Sequence, residues 1–229
     1  MRFIPVACLW LAACHAMPPA EPPVPSGTIF DAQDLFVAGQ GGYAAYRIPA
    51  LAVTQRGVLV ACTEARKENA RDWGSIDLVL RRSLDGGKTW EPQRKLLEPP
   101  ADLVQNPVAR NRKPGEFTLN NPVLVPDRAG TLHVLVCGEY RRCWILHSTD
   151  DGATFSAPVD LTPVFEQFRP DYDWKVLATG PGHGIQLVNG RLVVPIWLST
   201  STAGDHRPSA IATIHSNDSG RSWKRGDIV

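Results

Sequence analysis

The stretch SLDGGKTW, Ser83–Trp90, decides the fold because related octets recur twice more: STDDGATF from Ser148 and SNDSGRSW from Ser216. Each octet follows the pattern S-x-D-x-G-x-[ST]-aromatic. The starting serines are 65 residues (83 to 148) and 68 residues (148 to 216) apart. Three such octets at a nearly constant spacing indicate a repeated structural unit.

The octet has the chemistry of a hairpin turn. Its carboxylate can accept hydrogen bonds from the turn amides, and its glycine can adopt a positive φ. The aromatic residue is expected to open the next strand and to anchor it by packing. The aspartates concerned are Asp85, Asp150 and Asp218; the glycines are Gly87, Gly152 and Gly220; the aromatics are Trp90, Phe155 and Trp223.

Working outward from these turns, each copy offers four short runs rich in Val, Ile and Leu. A glycine-containing turn separates runs one and two, and the Asp turn separates runs three and four. No helical periodicity of comparable strength accompanies them. The pattern predicts an all-β fold, a β-propeller of four-stranded antiparallel blades, with about three blades in residues 28–229.

The composition is that of an ordinary globular protein, with 43% hydrophobic and 21% charged residues among 229. The net charge of +1, from 24 basic and 23 acidic residues, creates no general attraction to nucleic acid or anionic lipid. We therefore expect no nucleic-acid partner. The six histidines show no metal-ligand spacing and no glycine-rich phosphate loop leads into a helix, so we expect no metal and no nucleotide cofactor.

The N-terminus has the features of an export signal. Residues 1–16 combine Arg2 with the apolar run Phe3 to Leu11, which is too short to span a bilayer. LAAC, ending at Cys14, resembles a lipobox, which predicts a lipid anchor on Cys14; the alternative is a secretory signal cleaved after Ala16. The proline-rich residues 17–27 then form a linker. Either signal predicts export, as an outer-membrane or periplasmic lipoprotein or as a secreted protein.

Three cysteines remain outside the signal. Cys62 and Cys137 lie in apolar runs and are expected in the core, and a disulfide between Cys137 and Cys143 is left open.

Blade topology places three charged residues on one rim. In an up-and-down sheet, the start of strand one and the loop between strands two and three share a face, here face A; the Asp turns lie on the opposite face B. Arg47, Arg66 and Asp72 all fall on face A. Two guanidiniums suit a carboxylate ligand, and Asp72 could be a general acid if desolvation favours its protonated form. The alternative is an ordinary salt bridge at the rim.

Further residues on face A are candidates for contact with a sugar, although no motif singles them out. They are Asn120, Asn121, His183, Asp205, His206 and the long loop from Pro99 to Phe117.

Motifs in these regions resemble the sialidase (neuraminidase) family. YRIP at Tyr46–Pro49, the segment EARKENARDWGSIDLVLRRSLDGG and the repeated Asp boxes together match the family pattern. GPGHGIQLVNGRLVVPIW resembles a stretch of the bacterial members. The resemblance runs from about Phe36 to the last residue.

The resemblance implies an exo-α-sialidase acting on terminal sialic acids of glycoconjugates. Arg47 resembles the first arginine of the triad that binds the sialic acid carboxylate, Arg66 the further arginine beside the pocket, and Asp72 the acid/base. The nucleophile of a retaining sialidase is a tyrosine assisted by a glutamate. A neutral phenol is not repelled by the carboxylate on the substrate's anomeric carbon.

The resemblance also implies more blades than this sequence holds. Family members have six blades, and their glutamate, remaining triad arginines and tyrosine follow the third Asp box, after which this sequence stops. We therefore expect the N-terminal half of a sialidase, inactive in isolation. No nucleophile is assigned to the tyrosines present, Tyr43, Tyr46, Tyr140 and Tyr172. The alternative function is a non-catalytic Asp-box propeller that binds glycans or protein partners.

Overall fold

The computed structural model describes residues 32–181 and 183–229. The predictions of a signal in residues 1–16, of lipidation at Cys14 and of a linker in residues 17–27 lie outside the described residues. Within the described residues, no helix is both long and apolar enough to cross a membrane.

Three antiparallel sheets follow one another along the chain. Blade one contains β1 (Ala45–Val53), β2 (Leu59–Arg66), β3 (Ile76–Ser83) and β4 (Arg94–Lys95); blade two contains β5 (Leu119–Pro126), β6 (Leu132–Gly138), β7 (Arg142–Ser148) and β8 (Val159–Asp160). Each strand in these blades pairs with the next in sequence. The single short helix among the described residues, α1 (Thr162–Glu166), links blade two to blade three.

In blade three the first strand is divided. β9 (Val176–Thr179) and β10 (Ile185–Gln186) both pair with β11 (Leu192–Ser199), which continues into β12 (Ser209–Ser216) and β13 (Lys224–Ile228). The three sheets confirm the predicted all-β fold of four-stranded antiparallel blades.

The core follows the two-residue period of the strands. In blade two, Leu124 and Val134 belong to the apolar cluster shared with blade one. Their sequence neighbours Val123 and Leu135 belong to the cluster shared with blade three. Because successive side chains of a strand point to opposite faces, a blade between two others is apolar on both sides.

The Asp boxes have one geometry in all three copies. In the first, Ser83 Oγ donates to Asp85 Oδ1 at 2.8 Å, and Thr89 donates to Asp85 from its backbone nitrogen at 2.9 Å and its hydroxyl at 2.6 Å. The equivalent bonds around Asp150 and Asp218 have lengths of 2.6 to 2.9 Å. The turn glycines have φ of 92°, 76° and 81°, as predicted.

The aromatic residue of the box departs from the prediction in the first two blades. Trp90 precedes β4 by several residues, and Phe155 likewise precedes β8, so neither opens a strand. The indole Nε1 of Trp90 donates to Gly87 O at 3.2 Å, and that of Trp223 makes the equivalent bond to Gly220 O at 3.1 Å. Only Trp223 directly precedes its strand, β13.

The cysteines are buried thiols. Cys62, Cys137 and Cys143 are all free, so the disulfide alternative for Cys137 and Cys143 is not realised, although the two residues face each other across β6 and β7. Cys137 Sγ instead accepts a hydrogen bond from Thr179 N at 3.3 Å. Burial raises the pKa of Cys62 to about 12.

Face B carries contacts between successive blades. Arg56, in the β1–β2 turn, donates to Asp151 Oδ2 at 2.6 Å and to Thr149 O at 2.9 Å in the Asp box of blade two. Arg94 donates to Ala153 O in the same box at 2.8 Å. The contacts place the β1–β2 turn and the Asp box on one face, as the blade topology requires.

Candidate active site

A bulge in strand one shapes the rim of blade one. Arg47 pairs with Glu64 and Ala50 with Cys62, so that Ile48 and Pro49 together oppose a single residue of β2. Ile48 has φ of 57°, a rare value for a β-branched side chain, which costs about 1 to 3 kcal/mol. A bulge can re-aim neighbouring side chains, and this one turns the chain just where Arg47 leaves the ladder.

The first strands of the other two blades contain a similar irregularity. In blade two, Asn120 pairs with Cys137 and Val123 with Leu135, and Asn121 between them has φ of 52° before a proline. In blade three the interruption between β9 and β10 begins at Gly180, φ 67°, again before a proline. The shared sequence signal is an x-Pro pair inside an apolar run, which sequence analysis did not use.

The three bulges meet at one cavity of about 350 Å³. Ile48, Asn121 and Pro181 each contribute from their own blade. The remaining lining residues are Arg47, Asp72, Tyr140, Trp197, His206, Arg207 and Ser209. Two of the three residues predicted to share the rim, Arg47 and Asp72, therefore line the same cavity.

Asp72 joins both predicted arginines. Its Oδ1 accepts from Arg47 Nη1 at 3.1 Å and from Arg66 Nη1 at 2.9 Å. Both guanidiniums also donate to Ala70 O, which fixes the loop between β2 and β3 around them. The side chain of Arg47 is 46% exposed and that of Arg66 only 1%. Arg47 thus faces the cavity, whereas Arg66 supports Asp72 from within.

Glu64 is a buried partner that sequence analysis missed. It accepts from Arg66 Nε at 3.1 Å and Nη2 at 2.5 Å, and from the backbone nitrogen of Asn121 at 3.0 Å. Burial raises the pKa of Glu64, against the opposing effects of Arg66 and the Asn121 amide. Burial disfavours the charge on Arg66, but Glu64 and Asp72 outweigh it and raise its pKa. The available sequence signal was an acid two residues before Arg66 in a strand.

An aromatic cluster borders the other side of the cavity. The ring of His206 lies 4.8 Å from that of Tyr140 and 5.0 Å from that of Trp197, and Trp73 packs on Tyr140 at 4.8 Å. Burial lowers the pKa of His206 and raises that of Tyr140 well above its usual value. Burial therefore favours the neutral form of both rings.

The other residues predicted to contact a sugar lie partly in the lining of this cavity and partly outside it. His206 and Asn121 line the cavity, and Asn120 is buried beneath it, where its Nδ2 donates to Asn121 Oδ1 at 2.9 Å. Asp205 is hydrogen-bonded to Ser201, and His183 is exposed; neither lines the cavity. The long loop from Pro99 to Phe117 lines a separate cavity.

Three of the four tyrosines have their hydroxyls engaged elsewhere. Tyr43 donates to Asp77 Oδ2 at 2.8 Å, Tyr46 to Gln40 O at 2.9 Å, and Tyr172 to Pro208 O at 3.0 Å. Within the described part of the chain, no group of three or more His, Cys, Asp or Glu residues is arranged to hold a metal ion.

Comparisons with known proteins agree with the fold and the motifs. A family model described as a BNR repeat-like domain matches residues 108–229. A sialidase of Bacteroides fragilis (strain YCH46) is 32% identical over 82% of this chain and 36% of its own length. A sialidase of Micromonospora viridifaciens is 30% identical over 92% of this chain and 33% of its own length.

This chain is also similar in structure to solved proteins. The Hadza microbial sialidase Hz136 has a TM-score of 0.66 and 27% identity over 84% of this chain and 39% of that protein. An intramolecular trans-sialidase from Ruminococcus gnavus, at 17% identity, shares the fold with a TM-score of 0.65 over 85% of this chain and 63% of its own. This chain spans about a third of the two curated relatives above. Its matched domain, its relatives and its repeats show that it belongs to the sialidase family with BNR repeats.

Proposed function

We propose that the complete protein is a retaining exo-α-sialidase that removes terminal sialic acids from glycoconjugates. The observation that carries the proposal is the cluster of Arg47, Arg66 and Asp72 at one cavity, in a chain whose relatives are named sialidases. Its substrates would be sialylated glycoconjugates outside the cytoplasm, in keeping with the export signal expected in residues 1–16.

Arg47 is the proposed contact for the substrate carboxylate. Its Nη1 is bound to Asp72 and Ala70, while its Nε and Nη2 have no hydrogen-bond partner among the described residues. A planar guanidinium with free donors, half exposed at the cavity, suits a carboxylate.

Asp72 is the proposed general acid and base. Both arginine hydrogen bonds fall on its Oδ1, and its Oδ2 accepts none from the described residues. Oδ2 is therefore the oxygen that can give a proton to the departing glycosidic oxygen and later take one from water. Arg66 and Glu64 are proposed to position Asp72.

The nucleophile is proposed to be a tyrosine beyond Val229, assisted by a glutamate. Tyr140 is the tyrosine of this chain that lines the cavity, but its side chain is almost fully buried and burial raises its pKa. A phenol in that setting is hard to ionise at neutral pH.

The test is Asp72→Asn in the complete protein, assayed with two leaving groups. Cleavage of sialyllactose, whose sugar must be protonated as it departs, should slow by about 10² to 10⁴. A methylumbelliferyl sialoside, whose leaving group needs little protonation, should be affected far less. Asp102→Asn, an exposed acid that pairs with Arg142, is the matched control.

Two results would overturn the proposal. An equal fall in kcat/KM for both substrates would argue against Asp72 as the acid, because kcat/KM reports the step in which the leaving group departs and not the later attack of water. An unaltered protein that binds sialosides and hydrolyses none would favour the non-catalytic glycan-binding propeller instead.

A further inference from the structure

A second cavity, of about 320 Å³, adjoins the proposed active site. It lies between the β2–β3 loop of blade one and the long loop that leads into blade two. Asp72 lines the first cavity and its neighbour Trp73 lines the second. Trp73 packs against Tyr140 of the first cavity at 4.8 Å, and the guanidinium of Arg112 lies 5.9 Å from its ring centre. A packed pair of rings, Trp73 of the second cavity and Tyr140 of the first, thus connects the two linings.

Bonds between the two loops, and from the long loop to the β6–β7 turn, fix the walls of the second cavity. Arg112 binds the fully buried carboxylate of Glu139 through Nη1 at 3.2 Å and Nη2 at 3.1 Å. The hydroxyl of Thr118 donates to Gly74 O at 2.8 Å. Lys113 Nζ lies 3.3 Å from Glu68 across the opening. The cavity is therefore a built feature of blades one and two.

The second cavity is lined by more basic than acidic residues, and the ion pairs around it do not neutralise all of the positive charge. The cations lining it are Arg66, Arg71, Arg110, Arg112 and Lys113, and the acids are Glu68 and Glu116. Arg66, Arg112 and Lys113 have carboxylate partners. Arg71 and Arg110 are exposed, and their guanidiniums form no ion pair or hydrogen bond with other described residues. Two unneutralised, forked cations in one concave site suit an anionic group.

We propose that this second cavity binds a carboxylate or sulfate on the sugar next to the cleaved sialic acid. The inference rests on the proposed function, in which Asp72 protonates the oxygen that leaves with this sugar. The leaving sugar must lie on the Asp72 side of the first cavity, and the second cavity begins one residue further along the chain. The preferred substrates would then be sialic acid linked to a second sialic acid, or to a sulfated galactose.

Kinetics with matched substrate pairs test the proposal. The carboxylate arm compares disialyllactose with sialyllactose. In disialyllactose the sialic acid that is cleaved is linked to a second sialic acid, which supplies the carboxylate. The sulfate arm compares sulfated with unsulfated sialyllactose. In the complete protein, the ratio of kcat/KM for the substrate with the additional anionic group over the substrate without it should fall about tenfold on Arg71→Gln with Arg110→Gln, the size of one charge-assisted hydrogen bond. Arg221→Gln, an exposed arginine in the Asp box on face B, is the matched control and should leave the ratio unchanged.

The outcomes of the two arms distinguish a carboxylate from a sulfate as the bound group. A ratio that falls in one arm alone identifies carboxylate or sulfate as the ligand. A ratio unchanged in both arms, or one that falls equally in Arg221→Gln, overturns the proposal. A preference that also declines with added salt supports it, because partly exposed charges are screened.

A binding measurement keeps the inference testable if the complete protein hydrolyses no sialoside. Galactose sulfate and galacturonic acid, which contain no sialic acid, would be titrated while the side-chain amide signals of Asn69 and Asn111, which also line the cavity, are followed by NMR. Shifts with either anionic sugar, absent with galactose and lost in the double variant, support the second cavity even if the sialidase proposal fails. No shift with either anion overturns it, whatever the hydrolysis result.

Discussion

At the scale of single residues, the proposed acid depends on a partner that never reaches the solvent. Glu64 is fully buried, and it connects Arg66 of blade one to the backbone of Asn121 in blade two. A buried ion pair is not by itself stabilising, because both charges lose their hydration. Its role here is geometric: Glu64 holds the Nε and Nη2 edge of Arg66, which leaves Nη1 directed at Asp72.

Glu64→Gln should therefore cost much more stability than the same change in an exposed pair. The amide nitrogen of the substituted side chain would face a donor, and Arg66 would be left buried without this anionic partner, a loss of about 3 kcal/mol or more. Glu91→Gln breaks a similar two-bond pair with Arg82, but Glu91 is 37% exposed and should lose about 1 kcal/mol or less. Urea unfolding of both variants measures the difference. Equal losses would contradict the structural role given to Glu64.

At the scale of elements, the sequence predicts the blades but not the bulges. The strands could be predicted because their apolar runs end at turns of recognisable sequence. Asp85, Asp150 and Asp218 each indicate one hairpin, one in each blade. The positive φ of Ile48 could not be predicted, because a β-branched residue rarely adopts that conformation; Asn121 belongs to a type that adopts it more readily, but both residues lie in runs that indicate a continuous strand. In blade two, a hydrogen bond from the neighbouring blade, from Thr179 Oγ1 to Asn121 O at 2.8 Å, holds the bulge. Local patterns cannot report such contacts.

The Asp boxes should set the response of the fold to acid. Hydrogen bonds from the Thr89 and Ser222 hydroxyls and amides lower the pKa of Asp85 and Asp218 to about 2, and similar bonds lower the pKa of Asp150. A carboxyl whose pKa is lower in the folded state stabilises the fold above its unfolded pKa of about 4, and the benefit is lost as the pH falls toward about 2.

Urea unfolding at a series of pH values should show this loss between about pH 4 and about pH 2. The double variant Asp85→Asn with Asp218→Asn should be less stable at neutral pH and should lose less on acidification, because Asn has no proton to gain. Asp227→Asn, an exposed acid in β13, is the control and should keep the acid response of the unaltered protein. An unchanged slope in the double variant would contradict the assignment.

At the scale of the whole molecule, the candidate site exists because distant loops converge on one end of the blades. Arg47, Arg66 and Asp72 were predictable together, since all three belong to blade one and follow from its topology. The second cavity, with Arg112 and Glu139, could not be predicted. The long loop from Pro99 to Phe117 has no periodic pattern from which its path could be inferred. The contacts of Trp73 were equally hidden: its Nε1 donates to Gly204 O at 2.7 Å, from blade one to a loop of blade three.

Trp73→Phe should reduce catalysis by the complete protein out of proportion to its effect on stability. The change removes the bond to Gly204 and loosens the loop that carries Asp72, so kcat/KM for sialyllactose should fall about tenfold, since small displacements of a catalytic group are costly. The lost hydrogen bond should cost about 1 kcal/mol in unfolding free energy.

Trp174→Phe is the matched control for this change. Its Nε1 donates to Phe165 O at 2.9 Å in the core, away from both cavities. It should lose at least as much stability while kcat/KM stays nearly constant. If Trp174→Phe lowers kcat/KM equally, the effect of Trp73 is general destabilisation; if neither variant does, the contact between blades one and three does not position Asp72.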